Sequence, residues 1–331
     1  MTHYSITPAG TVAIGNLTPV GQNSGQVGCR WPPNGHHLAA CLQFNEGQSC
    51  QLRGPFWYRG GEDIYVPLPL PIYRLEEPPL ENTIPQAIYS FQWRDGRWQV
   101  LPEHQGKTIE QIGGQYLIRG TSLRNLYESG AIRSVESGEL HPLPWQTLTL
   151  SHNRREDYQV REEGGFFAEM TTLLAPGWSI LVEIIGDYEP PEWSSIGAGG
   201  TPARITRVDD LDDAWLYRSV EEPAGAVLLT GALWSKPEEM LSVPHPPVPL
   251  KGYAAETGEP WQSWTQVPHR EDRGRKVRVL TPGEWMTPAG AVYLWPEGEA
   301  PIQESQPYRD PYKRHVLGYG HLWLFGSSAT G

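Results

Sequence analysis

Residues 318–326 read Gly-Tyr-Gly-His-Leu-Trp-Leu-Phe-Gly, "GYGHLWLFG". The run Leu322–Phe325 has the length and bulk of a buried strand, yet glycines stand at 318, 320 and 326. Glycine weakens a strand, so its presence needs a reason. Either the backbone bends sharply there, or something approaches it closely. In both cases the segment is β structure, and the rest of the chain is read against it.

Outward from this run, short β-type stretches punctuated by turns dominate. They fall at 2–6, 11–17, 49–58, 62–70, 90–101, 166–174, 178–186, 203–208, 226–234, 276–280, 290–295 and 317–325. "WRDGRW" (93–98) reads as a hairpin around Asp95-Gly96. Helices are few: 33–44 behind Pro-Asn-Gly, 122–130 from a capping Ser to a Gly, and a weaker one around 105–112. Pro-rich stretches at 67–71, 78–85 and 244–250 read as surface connections. Many strands with few helices predict an α+β chain, with an all-β one as the alternative. Strand then helix near the N-terminus, followed by strand pairs, suits a ferredoxin-like unit.

The 331 residues are enough for about two domains. No stretch approaches the ~18 uninterrupted apolar residues of a membrane span. The opening "MTHYSITPAG" has neither a basic start nor a long apolar run, so a cytoplasmic protein without a membrane partner is expected. The net charge of −12 argues against coating DNA or any nucleic acid by bulk charge, though a single basic groove is compatible with it. The cations are 21 Arg and only 5 Lys, a bias that suits forked phosphate contacts and base stacking. Cys29, Cys41 and Cys50 are odd in number and lack a C-x-x-C. A zinc site with His36 and His37 fits no common spacing, so buried thiols are the expectation. No metal and no cofactor are expected.

No P-loop, G-x-S-x-G, H-E-x-x-H or usefully spaced carboxylate pair is present. Five stretches carry other chemistry. In "CRWPPNGHHLAACLQF" (29–44) a helix starts beside Arg30, His36 and His37, an arrangement that suits an anion or a capped turn. In "LRGPFWYRGGEDIYVPLPLPIY" (52–73) Arg53 and Arg59 flank aromatic residues. "SHNRREDYQVREEGGFFAEM" (151–170) reads as an extended finger with Arg154 and Arg155 near its tip, or as a solvated loop. In "SIGAGGTPARITRV" (195–208) Gly197, Gly199 and Gly200 precede Arg204, and bare backbone N–H groups in such a turn bind phosphate. The stretch 261–295 holds a local basic cluster that includes Arg270, Arg273, Arg275 and Arg278, beside Trp261 and Trp264.

The order of these stretches resembles the RAMP superfamily of CRISPR effector proteins. In particular it is similar to the subunit that caps the 5′ end of the guide RNA in Cmr-type (type III-B) complexes. "GYGHLWLFG" is similar to the superfamily's glycine-rich loop, and "WPPNGHHLAACLQ" to the Pro-Pro lead-in to its first helix. "LRGPFWYRGGEDIYVPLPLPI" resembles its Gly-Pro-Phe strand with Pro-Leu-Pro, "YQVREEGGFF" its Glu-Gly aromatic strand, and "MTPAGAVYLW" its Pro-Ala-Gly-Ser-Val-Tyr segment. Two stretches depart: "AIGNLTPVGQNSG" stands where the family carries an Arg-Asp-Gly-Arg turn, and "GAGGTPAR" lacks the acidic residue of a Gly-Gly-Glu-Arg. The departures leave room for a variant type III complex such as type III-D.

The resemblance implies two facing ferredoxin-like (RNA-recognition-like) domains, 1–208 with an insertion near 75–148, and 209–331. It implies a non-catalytic subunit that grips the crRNA 5′ tag and bridges the large signalling subunit to the backbone subunits. The residues expected at the RNA are Arg30, His36, His37, Arg53, Arg154, Arg155, Gly197, Gly199, Gly200, Arg204, Arg275, Gly318 and Gly320. Two other functions stay open: a RAMP-type guide-processing endoribonuclease with His36 or His37 as base, and a β-type carbohydrate- or protein-binding module, which the 14 Trp would serve.

Overall fold

In Thr2–Pro8 (β1), Tyr4 and Ile6 point to one face of the strand and His3 and Ser5 to the other, and all four are buried. A strand buried on both sides lies inside a sheet that is covered on both sides. The computed structural model describes residues 1–15, 25–44, 50–76, 84–153, 155–156, 159–160, 166–234, 243–262, 264–268, 276–280, 283–310 and 313–326.

After β1 come helix α1 (Gly35–Cys41) and strands β2 (Gln51–Tyr58) and β3 (Ile64–Pro67). Then follow β4 (Tyr116–Arg119), α2 (Gly120–Ser129), β5 (Leu140–Pro142), β6 (Ser179–Ile185), β7 (Trp193–Ile196) and β8 (Thr201–Val208). These eight strands form one sheet in the order β5-β4-β3-β2-β6-β1-β8-β7, all pairs antiparallel. The second sheet has β9 (Pro223–Leu228), β10 (Gly252–Ala254), β11 (Val292–Leu294), β12 (Gln306–Pro307) and β13 (His321–Gly326), in the order β10-β11-β9-β13-β12.

The layers follow from side-chain alternation. Leu52, Ile180, Val182 and Ile184 pack with Leu38 and Leu42 at α1 on one face of the first sheet. Phe56, Leu181, Val66 and Ile118 on the other face join Leu123 and Leu126 of α2 and Val227, Val292, Trp323 and Phe325 of the second sheet. The Tyr127 ring of α2 stacks on Phe325 at 4.3 Å. Each fully buried Leu or Phe here contributes about 1.5–3 kcal/mol relative to exposure, so this shared layer holds the two sheets together. The outer face of the second sheet buries Ala226, Leu228, Tyr293, Leu322 and Leu324.

Several sequence expectations are met. Asp95 and Gly96 both adopt positive φ (51° and 73°) in the hairpin joining strands 92–94 and 97–99. Gly130, at φ 76°, ends α2. An extended hairpin pairs Trp145–Asn153 with Phe166–Leu174, and its outer part pairs Arg155 with Val160. The helix expected around 105–112 does not form. Gly106 sits at φ 80°, which breaks helical continuation, and Ile109–Gln111 instead pairs with Ile72–Leu75. In the described part of the strand expected at 11–17, residues 11–15, there are isolated bridges instead, Val12 to Thr172 and Gly15 to Cys29.

Candidate functional site

The glycine run does not form part of a strand at its start. A 3₁₀ turn (Arg314–Leu317) ends at Gly318, and Gly318 and Gly320 take φ 84° and 73° before β13 begins. A methyl group at Gly318 would stand 2.9 Å from the carbonyl oxygen of Gly54, which itself sits at φ 124° in β2. One at Gly35 would stand 2.0 Å from the carbonyl oxygen of Leu317. Thr230 Oγ1 donates to the Gly318 carbonyl at 2.7 Å, and the Gly320 N–H donates to Gly231 at 3.0 Å. Both reasons for glycine therefore operate: the chain bends, and backbone meets backbone.

What approaches is this chain's own main chain. Gly318 and Gly320 are buried, which corrects the expectation that they lie bare for RNA. Around them is a narrow cleft of about 60 Å³, lined by Pro32, Pro33, Gly35, Gly54, Pro288 and Gly318 among others. The one charged side chain in its lining is the carboxylate Glu259, so the cleft offers a phosphate no cation. The cleft is nonetheless where four stretches far apart in the chain converge: the Pro-Pro lead-in, the Gly-Pro-Phe strand, the Thr-Pro-Ala-Gly segment and the glycine loop.

The start of α1 is closed, not an open anion cradle. Asn34 Oδ1 accepts from the His37 N–H at 3.4 Å, and His37 Nδ1 accepts from the Asn34 N–H at 3.2 Å. This reciprocal cap satisfies the first helical donors internally. The His36 N–H points at the Tyr319 hydroxyl at 3.5 Å, and its Nδ1 lies 2.9 Å from the same oxygen. That hydroxyl also accepts from Trp261 Nε1 at 3.2 Å, so its own proton points to His36 Nδ1. Both imidazoles thus spend a nitrogen on the fold. Burial pushes His36 and His37 down to about 4 from the ordinary 6.5, and the Arg314 charge adds to the effect on His36. Fully buried His321 is pushed down to about 3 for the same chief reason.

These three imidazoles make the fold acid-sensitive. The unfolded chain takes up their protons near pH 6.5, while the folded chain stays neutral there until about pH 4 or below. Stability should therefore fall as pH drops from 6.5 toward 4, each histidine adding a slope of up to about 1.4 kcal/mol per pH unit. Thermal melts across this window should show a steep loss, and His36→Gln should flatten it. A melting temperature constant from pH 7 to 4.5 would contradict the assignment.

The remaining expected residues separate. Arg53 is sealed between sheets: its NH1 lies 3.4 Å from Glu183, its guanidinium stands 4.5 Å over the Tyr217 ring, and its side chain is 12% exposed. That corrects its placement at the RNA. Arg30 is half-buried, within the field of Glu259. On the β7–β8 hairpin, Gly197 packs against Ala13 while Gly199 and Gly200 are exposed with open space beside them. Arg204 on β8 is 57% exposed and stands 6.0 Å over the Trp193 ring of β7. Arg154 and Arg275 lie outside the described residues, and of Arg155 only the backbone strand is described. Among the described residues, Cys29, Cys41 and Cys50 form no cluster with His36 or His37.

Sequence reasoning missed Trp193, whose exposed ring lies beside Arg204. The signal was its alternation with the buried Ile196 on an edge strand. It also missed Tyr319 as the hydroxyl that organises the start of α1.

No helix among the described residues is long and apolar enough to cross a membrane. No protein-family model and no curated protein matches the sequence. Among solved structures, the chain is similar to a chain of the type III-B Cmr-beta complex bound to cognate target RNA and AMPPnP. The identity is 11%, over 88% of this chain and 86% of that one, with a TM-score of 0.47. A second Cmr-beta structure bound to cognate target RNA gives 12% identity at the same coverage and a TM-score of 0.45. A chain of the Csm3-Csm4 subcomplex of the type III-A CRISPR-Cas interference complex gives 9% identity over 98% of this chain and 99% of that one, with a TM-score of 0.34. All three are chains of type III CRISPR complexes.

Proposed function

We propose that this chain is a non-catalytic RNA-binding subunit of a type III CRISPR effector complex. In this reading it holds the 5′ tag of the crRNA and bridges the large signalling subunit to the backbone subunits. The observation that carries the reading is the convergence of four family-like stretches, 32–35, 54–57, 286–289 and 318–319, on one cleft. Sequence resemblance put them in family order, and the fold brings them together. Strand order supports the same reading. β1, β2, β6 and β8 are arranged β2-β6-β1-β8, and β9, β10, β11 and β13 are arranged β10-β11-β9-β13. Numbered by sequence within each half, both are 2-3-1-4, the antiparallel order of a ferredoxin-like sheet. The chain is then two ferredoxin-like halves, with residues 59–178 inserted between the second and third strands of the first.

The RNA surface in this reading is the β7–β8 hairpin. The turn at Gly199 and Gly200 leaves room for a phosphate against the backbone, Trp193 offers a ring for a base, and Arg204 supplies the charge. Arg204 lies 3.6 Å from Glu192, and both are exposed. Such a surface pair is worth about 0–1 kcal/mol, so a phosphate can displace the carboxylate.

A tagged copy purified from cells that hold the whole complex should bring down several further subunits and a short RNA of uniform 5′ end. Trp193→Ala with Arg204→Ala should weaken RNA retention with the fold intact, and Arg204→Ala alone should lower the salt slope by about one. Repeat RNA incubated with the chain should stay uncut. A nucleic-acid-free monomer would overturn the reading, and unaltered salt dependence would remove the hairpin from it.

A further inference from the structure

We propose that His3, Glu183 and Asp213 form a binding site for one divalent transition-metal ion of the zinc class, pinning the connector between the sheets to the first sheet. This inference is independent of the RNA reading. It begins in the strand register. His3 of β1 pairs with Glu183 of β6, and Glu183 pairs with Arg53 of β2. The three side chains therefore form a polar row across three neighbouring strands, on the face that meets the second half of the chain. Asp213 reaches the end of this row from the segment between β8 and β9.

The donors are poised and incompletely used. Glu183 is fully buried; its Oε2 accepts from the Tyr217 hydroxyl and from Arg53, while its Oε1 has no hydrogen-bond partner. His3 Nε2, on a side chain 8% exposed, also has no hydrogen-bond partner and lies 3.8 Å from Asp213 Oδ2. One donor atom from each of the three residues lies within 4.8 Å of the others. Ligands on a tetrahedral zinc with bonds of about 2.0–2.1 Å stand about 3.4 Å apart, so modest closure completes the set. Arg53 pairs with Glu183 alone, which leaves the Asp213 carboxylate facing His3.

The ligand chemistry narrows the ion. One imidazole nitrogen with two carboxylate oxygens suits Zn²⁺ or Mn²⁺; Mg²⁺ and Ca²⁺ favour oxygen alone. Arg53 and Tyr217 hold Glu183 by Oε2, the kind of support that ligating carboxylates need. An opening lined by Met1, His3, Arg207, Asp209, Asp210 and Asp213 among others gives a path from solvent. Three protein ligands leave a further position for water.

The test uses the full chain without a polyhistidine tag, stripped with chelator and titrated calorimetrically with Zn²⁺ and, separately, Mn²⁺. The expected result is saturable binding that includes one site lost in Asp213→Asn and in His3→Gln, each weakening it about tenfold or more. Asp213 is 37% exposed at the rim, so Asp213→Asn should melt in chelator as wild type does. Zn²⁺ should raise the melting temperature of the wild type and not of either variant. No saturable binding, or wild-type affinity in both variants, would overturn the proposal and leave a purely structural polar cluster.

Discussion

Arg53→Met should destabilise the fold by about 3–5 kcal/mol, because it strands a fully buried carboxylate. Glu183 has 0% side-chain exposure, and Arg53 is the cation beside it. The guanidinium also covers the Tyr217 ring, whose hydroxyl donates to the same carboxylate. Among the described residues, removing the cation leaves the Tyr217 hydroxyl as the remaining hydrogen-bond donor to that carboxylate. Arg53→Met combined with Glu183→Leu should recover most of the loss, since a buried ion pair contributes little over well-packed apolar residues of similar volume. Denaturant unfolding in chelator measures both variants with no contribution from bound metal. A single variant within about 1 kcal/mol of wild type, the range of an exposed pair, would show that Glu183 is solvated or otherwise paired.

Gly35→Ala should cost about 3 kcal/mol or more, the upper range for overpacking, because the obstacle is backbone. The added methyl would lie 2.0 Å from the Leu317 carbonyl oxygen and 2.9 Å from the Tyr319 ring. A flexible side chain would yield; a carbonyl held in a 3₁₀ turn does not. The start of α1 would have to move away from the glycine loop, opening the cleft between them. Gly199→Ala is the control. Nothing lies within 4 Å of its added methyl and its φ is not positive, so it should be neutral or stabilising by up to about 1 kcal/mol through the unfolded chain. Equal effects at the two sites would mean that α1 and the loop do not meet as closely as the structure has them.

Arg53 shows where sequence reading reached its end. Its neighbours Gly54-Pro55-Phe56 mark a strand, and the strand is there. Beside aromatic residues an arginine reads equally well as a base-stacking cation or a buried partner. The difference lies in Glu183, 130 positions away, which becomes its neighbour only when β2 and β6 pair. His36 and His37 repeat the lesson. The reciprocal cap between Asn34 and His37 is local and was open to sequence analysis. The Tyr319 hydroxyl that engages His36 comes from 283 positions away. At Gly199, Gly200 and Arg204 local chemistry and exposure agree, because that hairpin lies at a sheet edge where few distant groups intervene.

The amino-acid order alone determined most of the segments that extend, the places of α1 and α2, and where the chain needs glycine to bend; it misplaced the start of α2, whose expected cap Ser122 lies inside the helix. Period, capping and positive φ act over a few residues and leave their mark in adjacent letters. Tertiary structure alone decided which polar groups are sealed, neutral, or left facing solvent. Burial and partnership are made between residues more than a hundred positions apart, as in the row of Arg53, Glu183 and His3. For the same reason the run at 318–326 announced a close approach, while only the packed sheets revealed that the visitor is the backbone of β2.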